Sequence, residues 1–399
     1  MTLHQTSWPS LFIAGALSLT VSACASLPGM PSASMPSTSL FGEKKPATLV
    51  QEFVVTTRKD LGSPTGEAGQ AKYLTTTISV PPGHEAGVIE RPSITPESKK
   101  RHFVIIGQRK LDEAQFNAEI AAQVSGRVGV SRDVLVFIHG FNTGYDEARF
   151  RLAQIVTDSG FTGVPVLFTW PSRNKFLAYG SDRESATASR DALEKLLRDL
   201  GQTPGVGRVH ILAHSMGTFL AMEALRQNAI AGQANLNGKL GDVMLAAPDI
   251  DLDVFRSQLA RIGKAAQISV FAAADDRALS LSSTLAGDRQ RVGALNLDDP
   301  KQREEIARLG VRVYDLTASK GADIFRHGTF AEAPQVVKAI GAQLAEPRVE
   351  DRQAQAYVDE EAVKLTLTQP QATLPAGSVS TSPLAPLPEA TRTASPPKM

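Results

Sequence analysis

Short, nearly uninterrupted runs of apolar and β-branched residues alternate with helical periods along most of this chain. The runs fall at 53–57, 75–80, 102–106, 134–138, 164–170, 209–213, 243–247, 268–272 and 311–316. Several are apolar at consecutive rather than alternate positions, the pattern of strands covered on both faces. Helical periods occupy 145–157, 185–200, 216–227, 252–262, 300–308 and 333–344. Alternation this regular predicts an α/β protein with a doubly wound, mostly parallel sheet. The runs before Val134 carry no helical period between them and predict an antiparallel start to the sheet or a small cap. No internal repeat is present.

One run ends abruptly at a serine. In Val209-His210-Ile211-Leu212-Ala213-His214-Ser215-Met216-Gly217 the apolar strand stops and a helical period begins at once. A serine displayed above a sheet edge needs a sharp, strained strand-to-helix turn, with small residues two before and two after it. Gly217 supplies one, and Ala213 stands where glycine is commoner. A helix N-terminus at the serine also favours negative charge in front of it. Alone, the segment fits equally a serine capping an ordinary helix, so its neighbours decide.

Upstream, the buried-type run 134–138 leads into His139-Gly140-Phe141-Asn142. Acyl transfer passes through a tetrahedral oxyanion that needs two preorganised N–H donors. In this arrangement one is the amide after the nucleophile, Met216, and the other comes from the loop after an earlier strand, here Phe141. The plainer alternative is a glycine turn with His139 packed beneath it. Of seven histidines only His327 follows Ser215, between the last strand run and the last helical period. The order serine, acid, histidine therefore makes His327 the base. The acid is expected after the run 268–272, in Ala274-Asp275-Asp276-Arg277. Asp276 is preferred over Asp275, and Asp249, at the end of the preceding run, is the outside candidate. Trp170-Pro171-Ser172, followed by Tyr179 and Asp182, reads either as pocket lining, together with His139, or as a packed turn with a helix cap.

These motifs define the expected fold as an α/β-hydrolase fold and the expected chemistry as hydrolysis of an ester through a Ser215–His327–Asp276 triad. The chain also resembles a bacterial group of α/β-hydrolases of unknown function, often found with lipoprotein signals. The resemblance spans about 53–344. It rests on FVVTTRK at 53–59, VFIHGFN at 136–142, FTWPS at 168–172, LAHSMG at 212–217, LAAPDID at 245–251 and DDRAL at 275–279. It implies a serine triad, with the aspartate directly before Arg-Ala-Leu as the usual acid, which favours Asp276. It implies no substrate.

Composition limits the alternatives. Apolar residues are 42% and charged residues 21%, the net charge is +1 and no long block of like charge occurs, which argues against nucleic acid as a partner. No HExxH, clustered metal ligands, P-loop or well-placed GxGxxG occurs, so neither metal nor cofactor is expected. The single cysteine, Cys24, excludes an intrachain disulfide. It follows an apolar stretch at 11–21 and Val21-Ser22-Ala23, which resembles a lipoprotein signal ending in a lipobox. The segment before Leu11 lacks the usual Lys or Arg. Despite that departure, residues 1–24 are expected to be a signal peptide, 25–46 a flexible tether, 47–344 the hydrolase domain, and 345–399 a largely disordered Pro/Ala/Ser/Thr-rich tail. Lipidated Cys24 would anchor the protein in the bacterial envelope. Ala25 in place of an aspartate favours the outer membrane, facing the periplasm, where lipid or other envelope acyl esters would be at hand. Two readings compete with an esterase: a non-catalytic envelope binding protein on a hydrolase scaffold, and a serine peptidase, for whose large lid or propeller the chain has no room.

Overall fold

The computed structural model describes residues 46–61, 67–175, 178–285, 287–317 and 327–346. The signal segment with Cys24, nearly all of the tether, and the tail beyond 346 lie outside the described residues.

Nine strands form one sheet: β1 (Thr48–Arg58), β2 (Ala68–Val80), β3 (Val104–Leu111), β4 (Val134–Ile138), β5 (Val164–Thr169), β6 (Val209–His214), β7 (Leu240–Ala246), β8 (Gln267–Ala272) and β9 (Arg312–Asp315). Their order is β3-β2-β1-β5-β4-β6-β7-β8-β9. The first three pair antiparallel with one another, and all pairings from β1–β5 onward are parallel. The antiparallel start expected from the sequence is thus the near edge of one continuous sheet.

Alternate residues of the central strands serve two separate layers. Val134, Val136 and Ile138 of β4 pack with Val209, Ile211 and Ala213 of β6 on one face. Leu135, Phe137 and Leu212 pack on the other. Under the first face lie α1 (Glu113–Val124), α4 (Arg190–Gln202), α5 (Met216–Ile230) and α6 (Leu252–Ile262); under the second lie α2 (Tyr145–Ser159) and the last described helix, Pro334–Leu344. Both faces are covered, which is why these strands read as continuous apolar runs.

Besides α7 (Arg277–Leu285), a helix that no helical period announces, two stretches differ from expectation. Helix α1 follows β3 where no helical period was expected. Its apolar stripe is thin (Phe116, Ile120, Val124), but an Asp112–Gln115 capping box secures its start. The helical period at 185–200 is two helices, α3 (Tyr179–Ala188) and α4, broken at Ser189. Ser189 Oγ donates to the Ser185 carbonyl at 2.8 Å and pairs with Thr57 Oγ1 at 2.8 Å, giving the backbone an alternative to continued helix.

The chain steps from β4 to β5 in one direction and returns across β4 to β6. Loops after β4 and β6 therefore meet at this switch point, where open α/β sheets bind their ligands.

Candidate active site

Ser215 stands alone between β6 and α5 with φ 53° and ψ −125°, a conformation that non-glycine residues rarely adopt. Its surroundings impose the strain. The Ser215 amide donates to the Ala246 carbonyl at 2.9 Å, and its own carbonyl accepts from Thr218 N at 2.9 Å and Thr218 Oγ1 at 2.5 Å. Gly217 is required: a Cβ there would lie 2.4 Å from the His139 carbonyl oxygen and 2.8 Å from that of Ile138. Gly140 is equally confined, since its Cβ would come within 2.8 Å of Ser215 Cβ. Ala213 is fully buried. Small residues at 213, 217 and 140 thus let strand, helix and loop converge on the serine.

Asp276 and His327 are brought together from opposite sides of β9. Asp276 starts α7 (Arg277–Leu285) and is wholly buried. Its Oδ1 accepts from the Leu279 amide at 2.9 Å, and its Oδ2 lies 2.7 Å from His327 Nδ1. One carboxylate therefore caps a helix and orients an imidazole. Asp275, the neighbouring candidate, is half-buried on the same turn. Asp249 lines the same cavity as Ser215 but has other partners: it accepts from Tyr179 Oη at 2.8 Å and from Ser282 Oγ, and pairs with Arg291 Nε at 3.3 Å.

His214, which sequence reasoning passed over, holds the histidine loop from below. Its Nε2 donates to the His327 carbonyl at 3.0 Å, and its ring lies 4.7 Å from those of both His327 and Phe330. Burial first, and then the neighbouring His327, hold its pKa well below the ordinary value, so the ring is neutral. No periodicity marks it; its one signal is adjacency to Ser215.

Ser215 (3% exposed), His327, His139, Gly140 and Phe141 share the wall of a cavity of about 470 Å³. Met216, as the first residue of α5, has an amide without an intrahelical acceptor. Phe141 packs edge-on against Tyr179, with centroids 5.6 Å apart. Trp170 and Ser172 do not line this cavity. The fully buried Trp170 ring stacks on His139 at 5.1 Å, and its Nε1 donates to the His139 carbonyl at 2.9 Å. Ser172 donates to Asp182 Oδ2 at 2.7 Å and faces an adjoining cavity instead. The Trp-Pro-Ser run is thus a packed turn, its polar atoms used to hold loops together. Among the described residues no group of three or more His, Cys, Asp or Glu side chains is arranged to hold a metal ion.

A parallel sheet whose central strand ends in a strained serine, with a carboxylate–imidazole pair beyond its later strands, is the α/β-hydrolase fold. Residues 112–348, more than half of the chain, match the alpha/beta hydrolase family of unknown function DUF900, and the chain belongs to that family. An uncharacterized protein of the cyanobacterium Nostoc, alr1448, is 37% identical over 60 residues, a match spanning 15% of this chain and only 16% of that relative. Similar solved structures include a predicted CIB-like hydrolase from Thermoplasma acidophilum (14% identity, TM-score 0.36, covering 75% of this chain and 99% of that one). They also include a hyperthermophilic esterase from Pyrobaculum calidifontis (13% identity, TM-score 0.33, covering 74% and 82%). Likeness of that degree carries nothing about substrate.

Proposed function

We propose that this protein is a serine esterase. The observation that carries the reading is the 2.7 Å contact between buried Asp276 and His327, with His327 and the strained Ser215 on one cavity wall. His327 Nε2 takes the Ser215 hydroxyl proton as Oγ attacks the substrate carbonyl. The oxyanion is held by the Phe141 and Met216 amides, and His327 returns the proton to the leaving alkoxide. Water, deprotonated by the same imidazole, then releases the acid from the acyl-enzyme. Asp276 fixes the tautomer of His327 and stabilises the imidazolium. The cavity volume suits a small ester, and its wall mixes phenylalanines with Glu147, Arg151 and Glu332, which favours an ester with a polar portion. Fluorophosphonate labelling of the wild type, Ser215→Ala and His327→Ala proteins tests the reading. Labelling only of the wild type is expected; a folded wild type that resists the probe would shift the assignment to a binding role.

The anchoring reading rests on sequence alone. Cys24 is proposed to be lipidated after signal cleavage and to hold the enzyme at the bacterial envelope, near lipid or other acyl-ester substrates. Among the described residues no helix is long and apolar enough to cross a membrane. Radiolabelled palmitate is expected to enter the wild type and not Cys24→Ser; equal labelling of both, or of neither, overturns the anchor.

A further inference from the structure

From His139 in the cavity wall a chain of polar groups that the acyl-transfer steps do not use runs inward. His139 is buried, with Nδ1 2.8 Å from the Gly140 carbonyl oxygen and Nε2 3.0 Å from Thr169 Oγ1. The same Thr169 oxygen accepts from Arg58 Nε at 3.2 Å. Arg58 is buried at the end of β1, and its remaining nitrogens donate to the Ser172 carbonyl at 3.0 Å and the Thr143 carbonyl at 3.1 Å.

Proton positions along this chain follow from its chemistry. A guanidinium has only donors, so Thr169 accepts from Arg58. Two lone pairs facing each other at 2.8 Å would repel, so His139 carries a proton on Nδ1 and donates it to the Gly140 carbonyl. Burial, then the Arg58 charge, lower the His139 pKa to about 3 against the pull of the Gly140 and Trp170 backbones. The ring is therefore neutral near pH 7, and Nε2 is a bare acceptor for the Thr169 hydroxyl proton.

The consequence falls on one peptide plane. The Gly140–Phe141 peptide is trans, as are all described peptides, so its C=O and N–H point in opposite directions. Fixing the Gly140 carbonyl on His139 turns the Phe141 N–H the other way. Arg58 holds the loop a second time through Thr143, and the close approach of Gly140 to Ser215 leaves the plane little room to turn.

We propose that Arg58, Thr169 and His139 are positioning residues that aim the Phe141 amide at the oxyanion. The proposal rests on the esterase reading above. Its test uses the full-length chain, with hydrolysis of p-nitrophenyl acetate and 15N NMR of the His139 ring in the wild type, Thr169→Val, Thr169→Ser and Ser215→Ala. Thr169→Val preserves shape and removes the hydroxyl. It is expected to lower kcat about 10- to 100-fold with KM within about twofold, because an oxyanion donor is misaimed rather than lost. Thr169→Ser is expected to restore most of the rate. The wild-type ring is expected to be protonated on Nδ1 alone, unchanged from about pH 5 to 8. A ring protonated on Nε2, or a Thr169→Val kcat equal to wild type, overturns the relay while hydrolysis lost in Ser215→Ala keeps the esterase reading. A folded wild type that neither hydrolyses the ester nor takes the fluorophosphonate overturns both.

Discussion

Asp276 does two things with two oxygens, and removing its charge separates them. Asp276→Asn retains an oxygen for the Leu279 amide but offers His327 Nδ1 an amide in place of a carboxylate. The wrong tautomer then faces Ser215, and kcat is expected to fall about 10⁴-fold with little change in melting temperature. Asp249→Asn should show the opposite balance. It weakens a buried set of contacts to Tyr179, Ser282 and Arg291, so stability falls by about 3 kcal/mol or more and the folded fraction keeps most of its rate. Steady-state kinetics beside thermal unfolding distinguish the two; a tenfold loss or less in Asp276→Asn would move the acid role elsewhere. Sequence order leaves Asp275 and Asp276, which follow one strand run, and Asp249, which follows the preceding one; only the family resemblance favours Asp276. The phase of α7 orients the side chains of Asp275 and Asp276 differently, and that phase depends on tertiary contacts which no local pattern records.

At the scale of elements, strands were the legible part. All nine apolar runs overlap strands, and in β4 to β8 burial on both faces accounts for apolar side chains at consecutive positions. Helix α1 was not legible. Its contact with the sheet needs only Phe116, Ile120 and Val124 among polar and alanine neighbours, too thin a stripe to announce a helix. The Ser189 break escaped for a different reason: its cause is a hydroxyl contact with Thr57, far away in the chain. The convergence of α5 on β4 is set by Gly217, and Gly217→Ala drives a methyl group into two carbonyl oxygens. Relief requires α5 to back away, at a cost of about 1–3 kcal/mol, with Ser215 displaced along with it. Gly180→Ala in α3 is the control. No atom lies within 4 Å of the added carbon, and helix propensity favours the change by roughly 0.5–1 kcal/mol. Urea unfolding checks both; equal stability of the two variants would refute the close-approach explanation.

The whole molecule titrates in two opposed ways. His139 and His214 are neutral in the folded protein because burial, their largest influence, lowers both. His84 and His210 are also penalised by burial, yet carboxylates outweigh it: Asp158 and Glu90 around His84, Asp133 and Asp242 around His210. Their pKa values are raised. From the His139 value of about 3 up to the unfolded value of 6.5, the unfolded chain holds a proton on His139 that the folded chain lacks, while Glu52, raised well above 4.5 by burial, works in the opposite sense. His139 alone therefore raises stability with pH there, by about 1.4 kcal/mol per unit. Above 6.5 the folded chain still holds protons on His84 and His210 that the unfolded chain has released, so stability falls as pH rises through their folded values. The urea midpoint is expected to peak near the unfolded histidine pKa, about 6.5; a steady rise from pH 5 to 9 would contradict the assignment.

The strand order also dictates when this protein can begin to work. β1 lies against β5, its partner residues more than a hundred positions downstream, and His327 meets Asp276 only after β9 has joined the sheet. Contacts this distant close slowly. During synthesis at about 5–20 residues per second, most of the chain emerges before Asp276 and His327 can meet. Ser215 is thus made roughly 6–22 seconds before His327, about 110 residues further along the chain.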